Sequence, residues 1–250
     1  QAGMHVLLGI SDVLACEACL TAIAEVVLEA LLPWTAAWLE ARHGRIRSGR
    51  FLILGMGKLG SRELTIGSDL DLVFVFDAPP DARSDGREPL PAAMWYARFA
   101  QRLVSALTAR TAEGRLYEID MRLRPSGNIG PVACSLTSFA HYQREAAQIW
   151  EHQALTRARP VAGEPSLAAA VAAVIDEVIR RPRDPVMLAR EVRAMRERIF
   201  REHGSSDPWN LKHVRGGLVD LEFLAQFLQL AHAHRHPLLR QTRTRDVLEA

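Results

Sequence analysis

The run Asp69-Leu70-Asp71-Leu72-Val73-Phe74-Val75-Phe76 constrains this chain more than any other, because it sets two acids at the head of a β-branched and aromatic stretch. Such residues pack well on a pleated surface. Leu70, Leu72, Phe74 and Phe76 recur at period two, so the run predicts a strand with those four side chains on one face. Asp69 and Asp71 then project together from the other face. Two carboxylates at that spacing repel each other unless a cation lies between them, and an oxygen-seeking ion such as Mg2+ makes them a ligand set. The alternative is a solvated surface strand of alternating polarity.

A third acid weighs against that alternative. In residues 115–124, Tyr117, Ile119, Met121 and Leu123 form one side, while Glu118, Asp120, Arg122 and Arg124 form the other. That alternation predicts a strand, ended by Pro125-Ser126-Gly127-Asn128. Two-metal phosphoryl transfer draws on a third carboxylate from a nearby strand, and Asp120 fits that place. Arg122 and Arg124 beside it predict bidentate contacts to phosphate oxygens.

A glycine-rich turn precedes the acid pair. Gly55-Met56-Gly57-Lys58-Leu59-Gly60 follows the apolar run Phe51-Leu52-Ile53-Leu54 and matches GxGxxG, with Asp77 near the place of a ribose-binding acid. This is the signature of a NAD-binding oxidoreductase, and geometry argues against it. A parallel crossover needs a dozen or more residues, usually a helix, and only Ser61–Ser68 separates Gly60 from Asp69. The competing prediction is that Gly60-Ser61 faces phosphate at the start of a short helix, Arg62 to Thr65. Backbone N–H groups there, with Lys58 nearby, would bind triphosphate oxygens.

Around these motifs the periodicity predicts helices over 11–42, broken or restarted at Pro33, over about 92–110, and from about Leu136 onward. Ala78–Pro91 predicts a solvated loop and Pro160–Pro165 a linker. Residues 167–250 predict a helical bundle interrupted at 182–185 and 204–208. This divides the chain into a catalytic unit, 1–163, with a helical lead-in over 1–50, and a helical unit, 164–250. The start at Gln1 and the break inside a helical pattern at Ala250 predict a piece of a longer protein.

Composition excludes several classes. The 31 basic and 29 acidic side chains leave a net charge of +2, which argues against bulk attraction to nucleic acid or membrane. No apolar run is long enough to span a bilayer. Three cysteines make no disulfide framework, which fits a reducing cytoplasm. Cys16 and Cys19 form a lone CxxC that predicts buried thiols rather than a zinc site. His232, His234 and His236 would not share one helix face, so they predict a solvated tail.

The pattern of Gly-Ser, a short helix, Asp-x-Asp and a later Asp resembles the nucleotidyltransferase superfamily of the DNA polymerase β type. More narrowly, Gly57-Lys58-Leu59-Gly60-Ser61-Arg62-Glu63-Leu64 with Gly67-Ser68-Asp69-Leu70-Asp71-Leu72 resembles the glutamine-synthetase adenylyltransferase family. So do Tyr117 to Gly127, Trp150-Glu151-His152-Gln153-Ala154-Leu155, Arg157-Ala158-Arg159, and Gly216-Gly217-Leu218-Val219-Asp220-Leu221-Glu222-Phe223. The resemblance covers roughly 51–250. It implies an α+β fold, with a polymerase β-like palm and flanking helices followed by a helical bundle. It also implies ATP as substrate, two Mg2+ ions, and glutamine synthetase as the protein substrate, with control by a PII-type signal protein possible through the full-length enzyme. That family joins an adenylyl-removing half to an adenylyl-attaching half. Pro125-Ser126-Gly127 and Trp150-Glu151-His152-Gln153 are more similar to the attaching half. The expected site is then Asp69, Asp71 and Asp120 as metal-binding carboxylates, with Lys58, Gly60, Ser61, Arg122 and Arg124 on the nucleotide phosphates. The adenylyl-removing reaction and a non-catalytic module on the same fold remain as rivals.

Overall fold

The computed structural model describes Met4, residues 8–10 and residues 12–250. The first long element is α1 (Val13–His43), opened by the Asp12 carboxylate, which accepts from the Ala15 N–H at 2.6 Å, and closed at Gly44. Pro33 lies inside this helix and does not break it. A proline removes one backbone hydrogen bond and crowds the preceding turn, but buried anchors on both sides, Leu28, Thr35 and Leu39, hold the helix against the protein.

Strand β1 (Arg50–Gly55) follows, then the single-turn helix α2 (Gly57–Ser61) and strand β2 (Leu70–Asp77). Helix α3 (Ala92–Thr108) returns across the sheet to β3 (Ile119–Asp120) and β4 (Ala133–Ser135). Short helices α4 (Leu136–His141) and α5 (Ile149–Leu155) lead to β5 (Arg159–Gly163). Four further helices complete the chain: α6 (Pro165–Ile179), α7 (Pro185–His203), α8 (Leu218–His232) and α9 (Thr244–Glu249). The architecture is mixed α and β, and no described helix is long and apolar enough to cross a membrane.

The sheet runs β3-β2-β1-β5, with β4 also on β2. β1 is antiparallel to both neighbours, whereas β3 and β4 run parallel to β2. Both sheet faces are covered. Ile53, Leu70, Leu72, Phe74 and Phe76 pack with α1 and α3 around Phe51, whose ring stacks on Tyr96 and meets Phe99 edge to face. Leu52, Leu54, Val73 and Val75 pack instead with α6, α7 and α8, through Leu167, Val171, Val192 and Leu230. The helices after residue 164 therefore share a core directly with the sheet.

Two predicted elements differ. The expected linker after Pro160 is strand β5, an edge strand on β1 whose Pro160 pairs with Leu54 beside a register shift. An edge tolerates proline because only one side of the strand needs its donors. The expected strand over 115–124 shrinks to Ile119–Asp120. Further along the same edge of β2, Phe74–Phe76 pair with β4, and Arg122 N–H turns back to Asp120 Oδ1 at 2.8 Å. Cys19 also departs from expectation, being exposed while Cys16 is buried.

Because packing rather than local preference carries α1 through Pro33, Pro33→Ala should keep the helix and raise stability by about 1–3 kcal/mol. Chemical denaturation with circular dichroism checks this. A loss of stability would mean that the packing requires the proline.

Candidate active site

The acid pair sits where β2 begins. Asp69 is exposed just before the strand, and Asp71 is half-buried between the fully buried Leu70 and Leu72. Parallel pairing with β3 sets Asp71 directly opposite Asp120 and Leu70 opposite Ile119. The register thus brings the third acid to the first two. Asp71 belongs to the face of β2 that carries Val73 and Val75, the face covered by α6–α8. Burial, followed by the charges of Asp69 and Asp120, pushes the Asp71 carboxyl up from its usual 3.8 to about 6. Asp120 moves the other way: hydrogen bonds from Arg122 hold it below the usual carboxylate range.

The glycine turn is built differently from the prediction. The short helix is Gly57–Ser61, not Arg62–Thr65, so Gly60 and Ser61 close it rather than open it. Both are buried. Ser61 Oγ accepts from Arg157 Nη2 at 2.8 Å, and a Cβ at Gly60 would overlap the Arg157 carbonyl. The residue that meets the acids is Gly57, at φ +49°, where a Cβ would overlap Asp71 Oδ2. Met56 N–H donates to Asp71 O at 2.9 Å, locking the turn to β2. The first-turn amides of a helix lack intrahelical acceptors, and here that turn starts at Gly57 and Lys58. Lys58 Nζ donates to Thr65 Oγ1 at 3.0 Å, which ties the turn to the loop before Asp69.

Neither Arg122 nor Arg124 stands free on a sheet face. Arg122 is exposed, and its Nε and Nη2 lie 2.8 and 2.5 Å from Asp120 Oδ2. Arg124 Nη1 donates to Met121 O at 2.8 Å and so fastens the turn after β3. Among the described residues no three Asp, Glu, His or Cys side chains converge on a common metal position. The donor set still suits a hard cation. Asp69, Asp71 and Asp120 offer only oxygen; Asp71 and Asp120 are opposite each other in the sheet, Asp69 lies two residues before Asp71, and no arginine neutralises Asp71 by direct contact. To join such a set, Asp120 has to release an oxygen from Arg122.

Other motif residues prove to be fasteners. Glu151 forms a capping box with Gln148 at the start of α5 and accepts from Tyr142 Oη at 2.6 Å. Arg159 pairs with Glu25 of α1 and donates to Gly60 O. Asp220 accepts from Gly216 N–H and from Arg196 Nε, each at 2.5 Å. Arg157, buried, reaches Ser61, Glu63 and Glu222 together. The sequence displays these charges but not that residues 61, 157 and 222 meet. A cavity of about 450 Å3 beside α2 is lined by Lys58, Thr65, Arg157 and Leu221, while the three aspartates lie outside it.

A small mixed sheet flanked by helices, with acids at the edge of its central strand beside a tight glycine turn, is consistent with a nucleotidyltransferase-like domain. The model of the family described as GlnE, glutamate-ammonia ligase adenylyltransferase, matches residues 1–174, and the chain belongs to that family. It is 54% identical over 228 residues to the bifunctional glutamine synthetase adenylyltransferase/adenylyl-removing enzyme of Xanthobacter autotrophicus, covering 90% of this chain and 23% of that protein. Proteins of the same description from Bradyrhizobium sp. BTAi1 and Brucella suis are each 50% identical over 210 residues, covering 84% of this chain and 21% of theirs. The chain thus spans less than a quarter of the length of these relatives.

The environment of Asp71 has a pH signature. Its folded pKa is raised, so the metal-free native state binds the proton more tightly than the unfolded chain does. Stability from this group is full below about pH 4 and is lost as pH rises through about 6. Asp71→Asn cannot ionise. At pH 7.5 it should stabilise the metal-free protein by about 2–3 kcal/mol, at roughly 1.4 kcal/mol per pKa unit, with the gain vanishing near pH 4. Thermal unfolding at both pH values in a chelating buffer measures this.

Proposed function

We propose that this chain is an adenylyl-attaching centre that moves AMP from ATP to a tyrosine hydroxyl of glutamine synthetase, on a polymerase β-like palm. The observation that carries the reading is Asp71, held at the start of β2 against Gly57 and in register with Asp120. Asp69 and Asp71 would hold two Mg2+ ions and Asp120 one of them. When bound, such ions polarise phosphate oxygens and the attacking hydroxyl. The turn opening at Gly57 and Lys58, rather than Gly60-Ser61, would present backbone N–H groups to the phosphates. In the reaction the tyrosine oxygen bonds to the α-phosphorus, the bond from that phosphorus to the bridging oxygen breaks, and pyrophosphate leaves. Asp120, released from Arg122, would take the hydroxyl proton, and the freed Arg122 would turn to the phosphates. The carboxylates lie in 1–163, and 164–250 would act as the helical unit that backs the sheet. A cytoplasmic setting, a PII-type regulator acting through the longer enzyme, and no role for nucleic acid belong to the same reading.

The relatives are described as both adenylyltransferase and adenylyl-removing, which favours one second reading: phosphate attacks AMP-tyrosine at the same carboxylates. Positioning of the nucleophile separates the two. The similarity of Pro125-Ser126-Gly127 and Trp150-Glu151-His152-Gln153 to the attaching half supports the first.

Asp69→Asn and Asp71→Asn should each lower AMP transfer on the order of a hundredfold or more without unfolding the protein. Near wild-type turnover with Mg2+ in either variant would remove the two-metal assignment. Asp120→Asn should reduce single-turnover transfer far more than it weakens ATP binding. An equal loss in both would take Asp120 away from the hydroxyl. For direction, the purified chain should add AMP to glutamine synthetase with ATP and not strip it with phosphate. Phosphate-dependent loss with no ATP-dependent gain would reverse the assignment.

A further inference from the structure

Arg157 lies in the turn between α5 and β5 and is only 8% exposed. A guanidinium so deeply placed is costly unless acceptors meet its donors. Its two terminal nitrogens find them in two separate parts of the chain, while Nε has none: Ser61 at the end of α2 at 2.8 Å with Glu63 in the following loop at 2.6 Å, and Glu222 on α8 at 3.1 Å. The backbone is engaged as well, since the Arg157 carbonyl occupies the space that a side chain on Gly60 would need. Glu63 extends the tie by accepting from Thr244 N–H at 3.1 Å, at the start of α9.

Helix α2 joins this cluster to the acids. It is a single turn of five residues, gripped by Arg157 at Ser61 and pressed on Asp71 at Gly57. Any shift of Ser61 therefore carries Gly57 with it. α8 touches this turn's holder through Glu222. Lysine would not replace this residue. A planar fork reaches several acceptors in fixed directions, whereas an ammonium is a single point of charge.

We propose that Arg157 is a positioning residue for the transfer reaction, and that its ion pair with Glu222 is the contact through which α8 sets the geometry of the Gly57–Asp71 turn. The proposal rests on the reading of Asp71 as part of the catalytic site. Its consequence is that a charge change on α8, in a residue given no role among the metal or phosphate ligands, alters how the turn receives Mg-ATP.

The test compares the 15N-labelled 250-residue chain with its Glu222→Gln and Arg157→Lys variants, by amide spectra and by AMP-transfer kinetics. Both variants keep a polar side chain of similar length, which guards the fold. In both, the Gly57, Lys58 and Asp71 amide resonances should shift or broaden while Ala24 and Leu28 on α1 stay in place. Half-saturating Mg-ATP should rise about threefold to tenfold in Glu222→Gln, with kcat changed less than about twofold. A role confined to stability would lower the melting temperature without this split. Unmoved Gly57 and Asp71 amides in both variants overturn the coupling. Moved amides with unchanged half-saturation, in a protein silenced by Asp71→Asn, overturn the positioning role and leave the catalytic reading standing. Moved amides in a protein that Asp71→Asn leaves active support the coupling and overturn the catalytic reading instead.

Discussion

Strand β2 is covered on both faces and paired along both edges, and that confinement shapes what surrounds it. Its apolar residues are among the most buried in the protein, so the strand cannot slide by one residue without exchanging Phe74 and Phe76 for Val73 and Val75 across the sheet. Pinning the register also pins Asp71. Covered by its neighbours, this carboxylate cannot escape the repulsion of Asp69 and Asp120 by swinging into water, and its raised pKa is the physical record of that confinement. A site of this kind is costly in the metal-free protein and suited to a divalent ion.

Around that strand, buried and half-buried arginines tie distant pieces together. Arg159 links β5 to α1 through Glu25, Arg196 links α7 to α8 through Asp220, and Arg157 links α2 to α8 through Glu222. Ion pairs removed from water gain little net stability, because desolvation opposes the Coulombic attraction. Their effect is on geometry: an unpaired guanidinium at such a depth is so unfavourable that the partners are held in one arrangement. The apolar clusters supply the driving force for folding, and these pairs select how α2 and α8 sit against it.

The strands and helices that the sequence displayed are those whose burial pattern is local. β2, α3 and the helices after Pro165 each repeat their apolar positions within their own length, at period two or near 3.6. The elements that were not legible depend on partners. β5 contains a proline and a glycine and is a strand because β1 offers it an edge. The predicted strand over 115–124 has perfect alternation for most of its length, yet β4 occupies the neighbouring part of β2 and the chain turns at Arg122. Pro33 reads as a helix break, and the core beneath α1 carries the helix through it.

For the site, residue types and their spacing already display the ingredients: two acids at period two where a buried strand begins, a third acid on another, and a glycine turn that only small residues can make. Those facts follow from residue type and spacing. Packing between elements is what selects which glycine meets the acids, sets Arg122 on Asp120, and gathers Ser61, Glu63 and Glu222 at Arg157. Spacing along a chain fixes which side chains share a face within one element. It carries no information about which faces meet, because that is settled by how the two sheet faces and the helices around them bury their apolar surface together.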